Sequence, residues 1–546
     1  MPDFSKNIEC VRRYHQQTKH RFGRYANGPQ TLDWALQPSP FRRYAGTKQI
    51  KLPFSKDDLE IAYCDLYTQE NVKPKKFNLD SIGTLLELSM GLSAWKEYHG
   101  ERWALRCNPS SGNLHPTEAY VITTGATGLD PGVYHYASYD HVLEQRCIFN
   151  VDHNTSGAPQ NDPGLLIGLS SVFWREAWKY GERAFRYCQL DTGHALAAIR
   201  YAGAILGWKV ELICDSEDST IEQLLGINRD QDYGAAEREH PDLLLELVPI
   251  NSANGHDSIE KLVRYSQRGE WLGSANILDH RHLYDWPIIE EVAQATRSLA
   301  KSTGLRWMPP NLPPPVPCTS KLTAKEIIQR RRSAQQFDAI TAIEADDFFR
   351  MLDMLLPRPK TPPWDALPWQ PKIHLALFVH RVNGLEPGLY ILLRNEQVLD
   401  TLKTALIDSL EWRRVEGAPN HLNLYRLVKA NAQKAAATLS CHQRIASDSA
   451  FSLGMLSEFD AALENGPWTY KHLYWEAGIL GQVLYLEAEA MDLQGTGIGC
   501  FFDDPFHEML GIKNSQFQSV YHFTVGGALN DSRLRTIMPY EHLKSD

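Results

Sequence analysis

Apolar residues recur every three or four positions in two long stretches of the chain, one in each half. They are Ala195, Ala198, Ala202 and Ile205 in the first half, and Leu473, Ala477, Leu480, Leu484, Ala488 and Met491 in the second. This spacing matches the 3.6-residue turn of an α-helix, so each stretch predicts a helix with a buried face. Gly207 and Gly495 stand where a glycine would end each helix.

Other elements of the two halves also correspond. Residues 128–134 read GLDPGVY and residues 384–390 read GLEPGLY, each a turn followed by a β-prone run that predicts a hairpin arm. LLGI at 224–227 lies 285 positions before MLGI at 509–512, the same offset that relates Gly193 to Gly478. Each half therefore predicts a hairpin, a long helix, a short strand, an acidic turn and a short helix. Helices on antiparallel sheets give an α+β fold, with a site along the seam between the duplicated halves.

A proline-rich segment separates the halves. Residues 308–317 read MPPNLPPPVP, which predicts an extended, semi-rigid linker. We therefore predict an N-terminal domain with an extension at 1–300, a linker at 301–318 and a C-terminal domain at 319–546. The length of 546 residues also exceeds what one compact core usually holds.

Composition excludes several classes of protein. The net charge of −10 argues against a general nucleic-acid surface. Nine cysteines without a CxxC pair predict reduced thiols and neither a disulfide framework nor a zinc ribbon. The twenty histidines show no metal-ligand spacing, so we predict no metal site. No apolar signal core or run of about 18 apolar residues occurs, which predicts a cytoplasmic protein without a membrane span.

The first candidate site is the stretch 104–120, ALRCNPSSGNLHPTEAY. Pro109, Ser110, Ser111, Gly112 and Asn113 predict a tight bend, because proline lacks a donor and glycine is conformationally permissive. Such a bend can be a plain turn. Its hydroxyls, amide and backbone N–H groups can also hold a flat ligand with a polar edge.

The second candidate is Arg330-Arg331-Arg332-Ser333. Thr323 and Glu326 predict a capping box that starts a short helix, so the arginines fall at its end. Cations are stabilised there without any ligand. The alternative is a phosphate clamp, because guanidinium groups bind phosphate oxygens.

The third candidate is the aromatic and cationic segment 170–194, which contains Lys179 beside Tyr180. Amphipathic cover over a core would explain most of it. The lysine and tyrosine could also transfer protons if burial lowers the lysine pKa. A fourth, weaker signal is GTGIGCFFDD at 495–504, whose glycines would let a ligand approach the backbone.

Together these segments resemble the flavin-dependent nitroreductase superfamily, and more closely the SagB-type azoline (thiazole/oxazole) dehydrogenases in a tandem form. The match rests on order and spacing over most of the chain. Its segments are YHQQTKH at 14–20, LDWALQPSPFRRY at 32–44, RCNPSSGNLHPTEAY at 106–120, WKYGERAFRY at 178–187, RRS at 331–333 and GIGCFFDD at 497–504. The resemblance implies two tandem nitroreductase-like α+β domains that form an intrachain pseudo-dimer.

The resemblance also implies a composite FMN site. The second half would hold the phosphate, and the first half would touch the flavin with its serine turn. The implied cofactor residues are Arg331, Arg332, Ser333, Gly497, Ile498, Gly499, Arg533 and Arg535 from the second half, and Pro109, Ser110, Ser111 and Asn113 from the first. Lys179 and Tyr180 match a pair implicated in substrate deprotonation and are the implied catalytic residues.

Only one such site is expected per chain. PWQPKIHLALFV at 368–379 has no serine turn, and residues 55–77 contain no RRS. We therefore predict one FMN per chain. Gln335 departs from the family pattern, which has a second basic residue there, and residues 250–307 match nothing we can assign.

The implied activity is the oxidation of a thiazoline- or oxazoline-like ring in a peptide or small molecule, with a hydride passed to flavin N5. Two alternatives remain open, an NAD(P)H-dependent nitro or quinone reductase and a flavin-free scaffold that binds a peptide or a partner enzyme. Partners would be the substrate and an enzyme of the same biosynthetic route, with no nucleic acid and no membrane. The chain would be a monomer or a homodimer.

Overall fold

The computed structural model describes residues 4–56, 59–68, 72–125, 128–150, 164–214, 216–252, 258–298 and 306–544. Helices and strands alternate along these residues. The helices are α1 (Ser5–Gln17), α2 (Leu79–Ser89), α3 (Phe173–Tyr180), α4 (Ala184–Ile205), α5 (Asp218–Leu225), α6 (Asp230–Tyr233), α7 (Ile259–Arg268), α8 (Pro287–Ala295), α9 (Ala324–Arg330), α10 (Ala345–Asp353), α11 (Leu399–Ala405), α12 (Gln433–Leu439), α13 (Ile445–Asp448), α14 (Phe459–Leu463), α15 (Thr469–Ala490) and α16 (Asp503–Leu510).

The strands form two large antiparallel sheets and three small ones. They are β1 (Tyr44–Ala45), β2 (Lys48–Lys51), β3 (Leu92–Tyr98), β4 (Glu101–Arg106), β5 (Thr117–Thr123), β6 (Gly132–Ala137), β7 (Val142–Ile148), β8 (Leu165–Ser171), β9 (Trp208–Leu212), β10 (His240–Pro249), β11 (Glu270–Trp271), β12 (Ser274–Ala275), β13 (Ile343–Glu344), β14 (Ile373–Val379), β15 (Val382–Asn383), β16 (Gly388–Leu393), β17 (Arg413–Arg414), β18 (Asn423–Lys429), β19 (Phe451–Glu458), β20 (Gln494–Ile498), β21 (Phe517–Gly526) and β22 (Arg535–Ile537).

The two large sheets have the same order in six of their strands and differ in the short strand at one edge. The first runs β11-β7-β6-β5-β8-β10-β9, with β2 also paired to β7, and the second runs β17-β18-β16-β14-β19-β21-β20. The predicted hairpin arms are β6 and β16, which pair antiparallel with β5 and β14. The α+β prediction with a duplicated sheet and helices is thus confirmed. The repeat in the sequence is a repeat in the fold.

The two halves pack through the long helices α4 and α15. A Cβ on Gly193 would lie 2.2 Å from the carbonyl oxygen of Trp475, and one on Gly478 would lie 2.2 Å from that of Leu190. Glycine at both positions lets the two backbones approach more closely than any other residue would permit. The two residues that the 285-position offset aligned are therefore the crossing point of the helices.

Two predictions about glycine and cysteine are wrong. Gly495 does not end α15, which stops at Ala490, but lies inside β20. The turn after the helix uses Asp492, with φ of 55°. Cys64 and Cys318 form a disulfide, so the expectation of reduced thiols throughout is corrected. The sequence could not show this pair, since 254 residues separate the two cysteines.

The structure describes part of the region 250–307, to which the sequence assigned no element, and part of the predicted linker. Residues 250–307 contain α7, β11, β12 and α8 within their described part. The proline-rich segment has no helix or strand from 306 to 320, and its role as a linker stays a prediction. The predicted boundary at 300/301 lies outside the described residues. Among the residues that the structure does describe, no helix is both long and apolar enough to cross a lipid bilayer.

The last strand returns to the first half of the chain. β22 pairs antiparallel with β3, with Arg535 opposite Glu97 and Ile537 opposite Trp95. The segment 529–536, which leads into β22 and includes its first two residues, therefore lies across the seam between the two halves. It contributes one wall of the cavity described below.

Candidate functional site

A cavity of about 800 Å³ lies on the seam between the halves. The first half contributes the end of β4, the serine turn at 108–115 and side chains of α3 and α4. The second half contributes residues 331–335, β20 with the residues that follow it, and the segment 529–536. The predicted site residues among its lining are Pro109, Ser110, Ser111, Asn113, Tyr180, Arg331, Arg332, Ser333, Gly497, Ile498 and Gly499.

The serine turn is held by a buried carboxyl group. The backbone N–H and the hydroxyl of Ser111 donate to Asp191 of α4 at 3.1 and 3.2 Å. The Asn113 amide donates to the Ala104 carbonyl at 2.9 Å. Gly112 and Asn113 have φ of 59° and 60°, in the left-handed region. Hydrogen bonds to Asp191 and to the Ala104 carbonyl therefore fix the conformation of the turn.

Asp191 has an unusual electrostatic environment. Burial raises its pKa to about 7, although hydrogen bonds from the serine turn lower it. A carboxyl group with that pKa can be protonated or ionised near neutrality. The charge state of the turn's anchor is therefore sensitive to pH in the physiological range.

Two arginines in the second-half wall, Arg331 and Arg332, form no ion pair within the part of the chain that the structure describes. The Arg331 Nη2 donates to the Arg106 carbonyl at 2.8 Å, and the Arg332 Nη1 donates to the carbonyls of Gln329 and Arg331, both at 2.7 Å. No described carboxylate forms an ion pair with either, whereas Arg330 pairs with Glu489 and Asp492. Burial lowers the pKa of Arg331, and it lowers that of Arg332 to about 10.

The chemistry of this pair favours an anion. Burying a guanidinium without a directly paired counter-ion costs free energy, and Glu489, which pairs with Arg330, acts on Arg331 and Arg332 only beyond ion-pair distance. Among the described residues, the Nε atoms of Arg331 and of neighbouring Arg106 have no hydrogen-bond partner, and burial lowers the pKa of Arg106 to about 10. Three guanidinium groups therefore line the cavity together, a grouping whose chemistry suits a phosphate group.

Residues Gly497–Gly499, called the glycine strip below, lie along a wall of the cavity that is lined with tyrosines. The Gly497 N–H donates to the Tyr485 hydroxyl at 3.0 Å, and that hydroxyl contacts the Ser333 hydroxyl at 2.8 Å. A Cβ on Gly497 would lie 1.7 Å from the hydroxyl of Tyr521. Glycine is required here because a tyrosine already occupies the space that a side chain would fill.

Lys179 and Tyr180 lie at the end of α3, against the serine turn. A Cβ on Gly112 would lie 2.6 Å from the Tyr180 hydroxyl and 3.1 Å from the Lys179 Nζ. Burial lowers the pKa of Lys179 and raises that of Tyr180 well above 10. Trp34 lies 5.4 Å from the Lys179 Nζ and forms part of its surroundings. Tyr180 lines the cavity, whereas Lys179 is not among the residues that line it and lies against the serine turn.

The late arginines lie apart from the cavity lining. Arg533 is exposed and pairs with Asp531 at 2.7 Å, and Arg535 is exposed and lies 3.7 Å from Glu97. Their neighbours Asp531, Ser532, Leu534 and Thr536 line the cavity instead. A role for either arginine in binding phosphate stays a prediction.

Several lining residues were not predicted from the sequence. They are Arg106, Tyr187, Asp191, His194, Tyr485 and Tyr521. Most lie on the long helices or in core strands, where periodicity marks them as buried and nothing distinguishes them from core. A polar residue within a buried helix face, such as Asp191, was the signal that could have indicated the site.

The charged groups at the equivalent position in the other half are paired with one another. Arg200, 285 positions before Tyr485, pairs with Asp365 through two contacts of 2.8 Å. Glu476, 285 positions after Asp191, accepts from the backbone N–H groups of Lys372 and Ile373 and pairs with Arg394. Cations there are already neutralised by carboxylates, so no anion is required.

Comparisons with known proteins agree with this architecture. No protein-family model matches the chain. A Methanocaldococcus jannaschii protein named as a nitroreductase is 28% identical over 149 residues, which are 26% of this chain and 75% of that protein.

The crystal structure of an Anabaena variabilis protein described as a nitroreductase is similar with a TM-score of 0.68 and 24% identity, over 95% of this chain and 99% of that one. A structure from Exiguobacterium sibiricum, described as a nitroreductase in complex with FMN, covers 40% of this chain and 95% of its own at 12% identity. Its TM-score of 0.24 is too low to argue from. The likeness to the Anabaena protein spans both halves, and the chain therefore has the nitroreductase fold.

Proposed function

We propose that the chain is an FMN-dependent oxidoreductase with one cofactor in the composite cavity. The observation that carries this proposal is the pair Arg331 and Arg332, which line the cavity, the first buried and the second half-buried, without an ion-paired carboxylate among the described residues. A structural role at the end of α9 is already filled by Arg330, which has two acidic partners. Arg331 and Arg332, which follow it, are therefore available to bind an anionic ligand.

The cavity fits the cofactor in size and in the order of its groups. A volume of about 800 Å³ lies in the range of pockets for small molecules and cofactors. Arg331 and Arg332 would hold the phosphate. Gly497–Gly499 and the serine turn, from opposite halves, would contact the ring system with backbone groups and small side chains.

Within this proposal, Lys179 is the base and Tyr180 is a hydrogen-bond donor. FMN, when bound, supplies a two-electron acceptor for hydride. A lysine pKa lowered by burial means that a larger neutral fraction is present at a given pH, and only neutral lysine can accept a proton. Because burial raises the pKa of Tyr180, its hydroxyl keeps its proton and can orient a substrate atom or the amine.

The substrate class we propose is a five-membered thiazoline or oxazoline ring, in a peptide or a small molecule. Oxidation of such a ring removes a proton from one ring atom and a hydride from another. It therefore needs both a base and a hydride acceptor close to the ring. Lys179 lies beside Gly112 of the serine turn, which lines the cavity, and would provide the base. A nitro or quinone reductase has no need of this base, which is why we place that activity second.

We expect purified protein to release about one FMN per chain. The measurement is the absorption spectrum followed by heat release and quantification of the flavin against protein concentration. One site is expected because Asp365 and Arg394 already neutralise the charges at the equivalent position. Two FMN per chain would contradict this assignment of the second position. No binding, even from excess FMN, would overturn the proposal.

We expect Gly112→Ala to lower the rate of ring oxidation by about a hundredfold, because misplacement of a catalytic group by about 1 Å has effects of that size. The new methyl group would displace the Tyr180 hydroxyl and the Lys179 Nζ. The measurement is turnover of a thiazoline-containing peptide.

The matched control is Gly100→Ala. Gly100 has φ of 89° and open space around its missing Cβ. Both variants place alanine in the left-handed region, which costs about 1–2 kcal/mol of stability. Equal loss of turnover in the two variants would mean that backbone strain, and not displacement of Lys179 and Tyr180, is responsible.

A further inference from the structure

Two cysteines lie in contact at the edge of the cavity. The Sγ atoms of Cys441 and Cys500 are 2.6 Å apart, although 59 residues separate them in the chain. Cys500 directly follows the glycine strip and lines the cavity. Both side chains are partly exposed, whereas Cys107, Cys147 and Cys188 are buried. The pair can therefore be reached by a small molecule from the cavity side.

The fold holds the two backbone segments together. The Phe502 N–H donates to the Leu439 carbonyl at 2.8 Å, and the Gln443 amide donates to the Cys500 carbonyl at 3.0 Å. Cys441 itself has φ of 53°, in the left-handed region. The cysteines thus sit at the ends of α12 and β20 in a position that needs little movement to join the sulfur atoms.

The charges around Cys500 favour its thiolate. A hydrogen bond from Cys441, then one from His20, and then the Arg183 guanidinium lower the pKa of Cys500. The Ala26 N–H donates to the His20 Nδ1 at 2.9 Å, so the ring hydrogen is on Nε2, which can donate to Cys500. The Arg183 Nη2 donates to the Gly499 carbonyl at 3.1 Å, next to the cysteine.

The other titratable groups that face Cys441 and Cys500 do not reverse the preference for a thiolate at Cys500. Asp503 is held ionised by two ion pairs, with Arg183 at 3.1 Å and Arg186 at 2.9 Å. Tyr25, Tyr180 and Tyr187 have pKa values raised by burial, so their hydroxyls are neutral. The pKa of Cys441 is raised, first because it donates its hydrogen to Cys500. One cysteine is thus the nucleophile and the other keeps the proton.

We propose that Cys441 and Cys500 form a redox-active dithiol that exchanges with small disulfides and dithiols. The Cys500 thiolate attacks one sulfur of a small disulfide, forms a mixed disulfide and releases one thiolate. Cys441 then loses its proton to the solvent, attacks the Cys500 sulfur and releases the second thiolate. The two cysteines lose two electrons and the small disulfide gains them, so the exchange is balanced without a cofactor. A small dithiol reverses it.

This site goes beyond the proposed oxidoreductase activity and does not depend on it. Oxidation would remove a negative charge from the cavity wall beside Gly499. It would also join the end of α12 covalently to the residues that precede α16. The redox state of the pair is therefore a second chemical property of the cavity, set by the thiol–disulfide balance of the surroundings.

The test is redox titration of the full chain in mixtures of oxidised and reduced dithiothreitol, followed by peptide mapping. We expect a peptide linked through Cys441 and Cys500 to form and disappear with a defined midpoint. Cys441→Ser, treated with oxidised glutathione, is expected to trap a mixed disulfide on Cys500. The disulfide Cys64–Cys318 provides an internal control for mapping.

A second measurement uses iodoacetamide at pH 7. We expect Cys500 to react at least tenfold faster than Cys10, whose pKa burial raises. In His20→Phe, we expect the pH profile of Cys500 alkylation to move to higher pH. A pair that never links, a link that persists in excess dithiothreitol, or a Cys500 no faster than Cys10 would each overturn the proposal.

Discussion

Replacing both Arg331 and Arg332 with glutamine is expected to weaken FMN binding by about a thousandfold. A hydrogen bond to a charged group contributes about 1.5–3 kcal/mol, and about 1.4 kcal/mol corresponds to a tenfold change in affinity. Each single variant should therefore lose about ten- to a hundredfold. The measurement is equilibrium dialysis or fluorescence quenching of added FMN by the flavin-free protein.

The same substitutions separate binding from folding. Burial lowers the pKa of both guanidiniums, which means that their charge is unfavourable in the flavin-free protein. We therefore expect the thermal midpoint without FMN to be unchanged or higher in the variants, while the stabilisation by added FMN is lost. A drop in stability without a change in affinity would show that the arginines serve the fold.

Arg330→Gln is the matched control. It removes the same charge one residue earlier, where the side chain is half exposed and paired with Glu489 and Asp492. Exposed pairs of this kind contribute about 0–1 kcal/mol. We expect FMN binding close to that of the unmodified protein. Equal loss in Arg330→Gln and Arg331→Gln would contradict a specific phosphate site and favour a general effect of positive charge.

Replacing Lys179 with methionine is expected to lower ring oxidation by about a hundred- to ten-thousandfold, the usual contribution of a general base. Methionine keeps the unbranched apolar stem and removes the amine. FMN content should change little, because Lys179 is not among the groups proposed to hold the phosphate or the ring and does not line the cavity. The measurement is the rate of flavin bleaching when protein is mixed with a thiazoline-containing peptide without oxygen.

The pH dependence tests the same role. In the unmodified protein the rate should rise with pH as Lys179 loses its proton, with an apparent pKa below the ordinary lysine value of 10.5. This limb should be absent in Lys179→Met. Tyr180→Phe should reduce the rate less and keep the limb, because burial holds that hydroxyl protonated throughout.

A control lysine is available on β9. Lys209 pairs with Glu211 at 2.9 Å on the surface, and its replacement by methionine should leave the rate unchanged. Persistence of full activity in Lys179→Met would contradict base-assisted oxidation. If that variant also kept rapid reduction by a nicotinamide, the reductase of nitro compounds or quinones would become the better assignment.

Much of the fold could be read from local patterns. The spacing of apolar residues predicted α4 and α15, the paired GLDPGVY and GLEPGLY segments predicted β6 and β16, and Thr323 with Glu326 predicted the start of α9. These features depend on neighbours within a few residues. Gly495 shows the limit, because a glycine that ends a helix and one that makes room for Phe523 in a strand look the same in sequence.

For the candidate site too, some features could be predicted from local sequence and others only from the tertiary structure. The serine turn, the arginines, the glycine strip and Lys179 were each visible as local chemistry. Only the tertiary structure brings them to one cavity, because they come from opposite halves that meet where α4 crosses α15. The sequence also could not show that Arg331 and Arg332 lack acidic partners while Arg330 has them, because ion pairs join residues more than 150 positions apart.

The sequence by itself determined the duplication, the α+β class and the residue types available for chemistry, because periodicity and turn composition are local properties of the chain. The tertiary structure decided how the charges of the two copies are paired, with Asp365 neutralising Arg200 in one half and no carboxylate, among those described, pairing with Arg331 in the other. It also decided the contacts between distant residues, Asp191 with Ser111 and Cys441 with Cys500. Such contacts depend on how the halves pack, and packing is set by the whole chain.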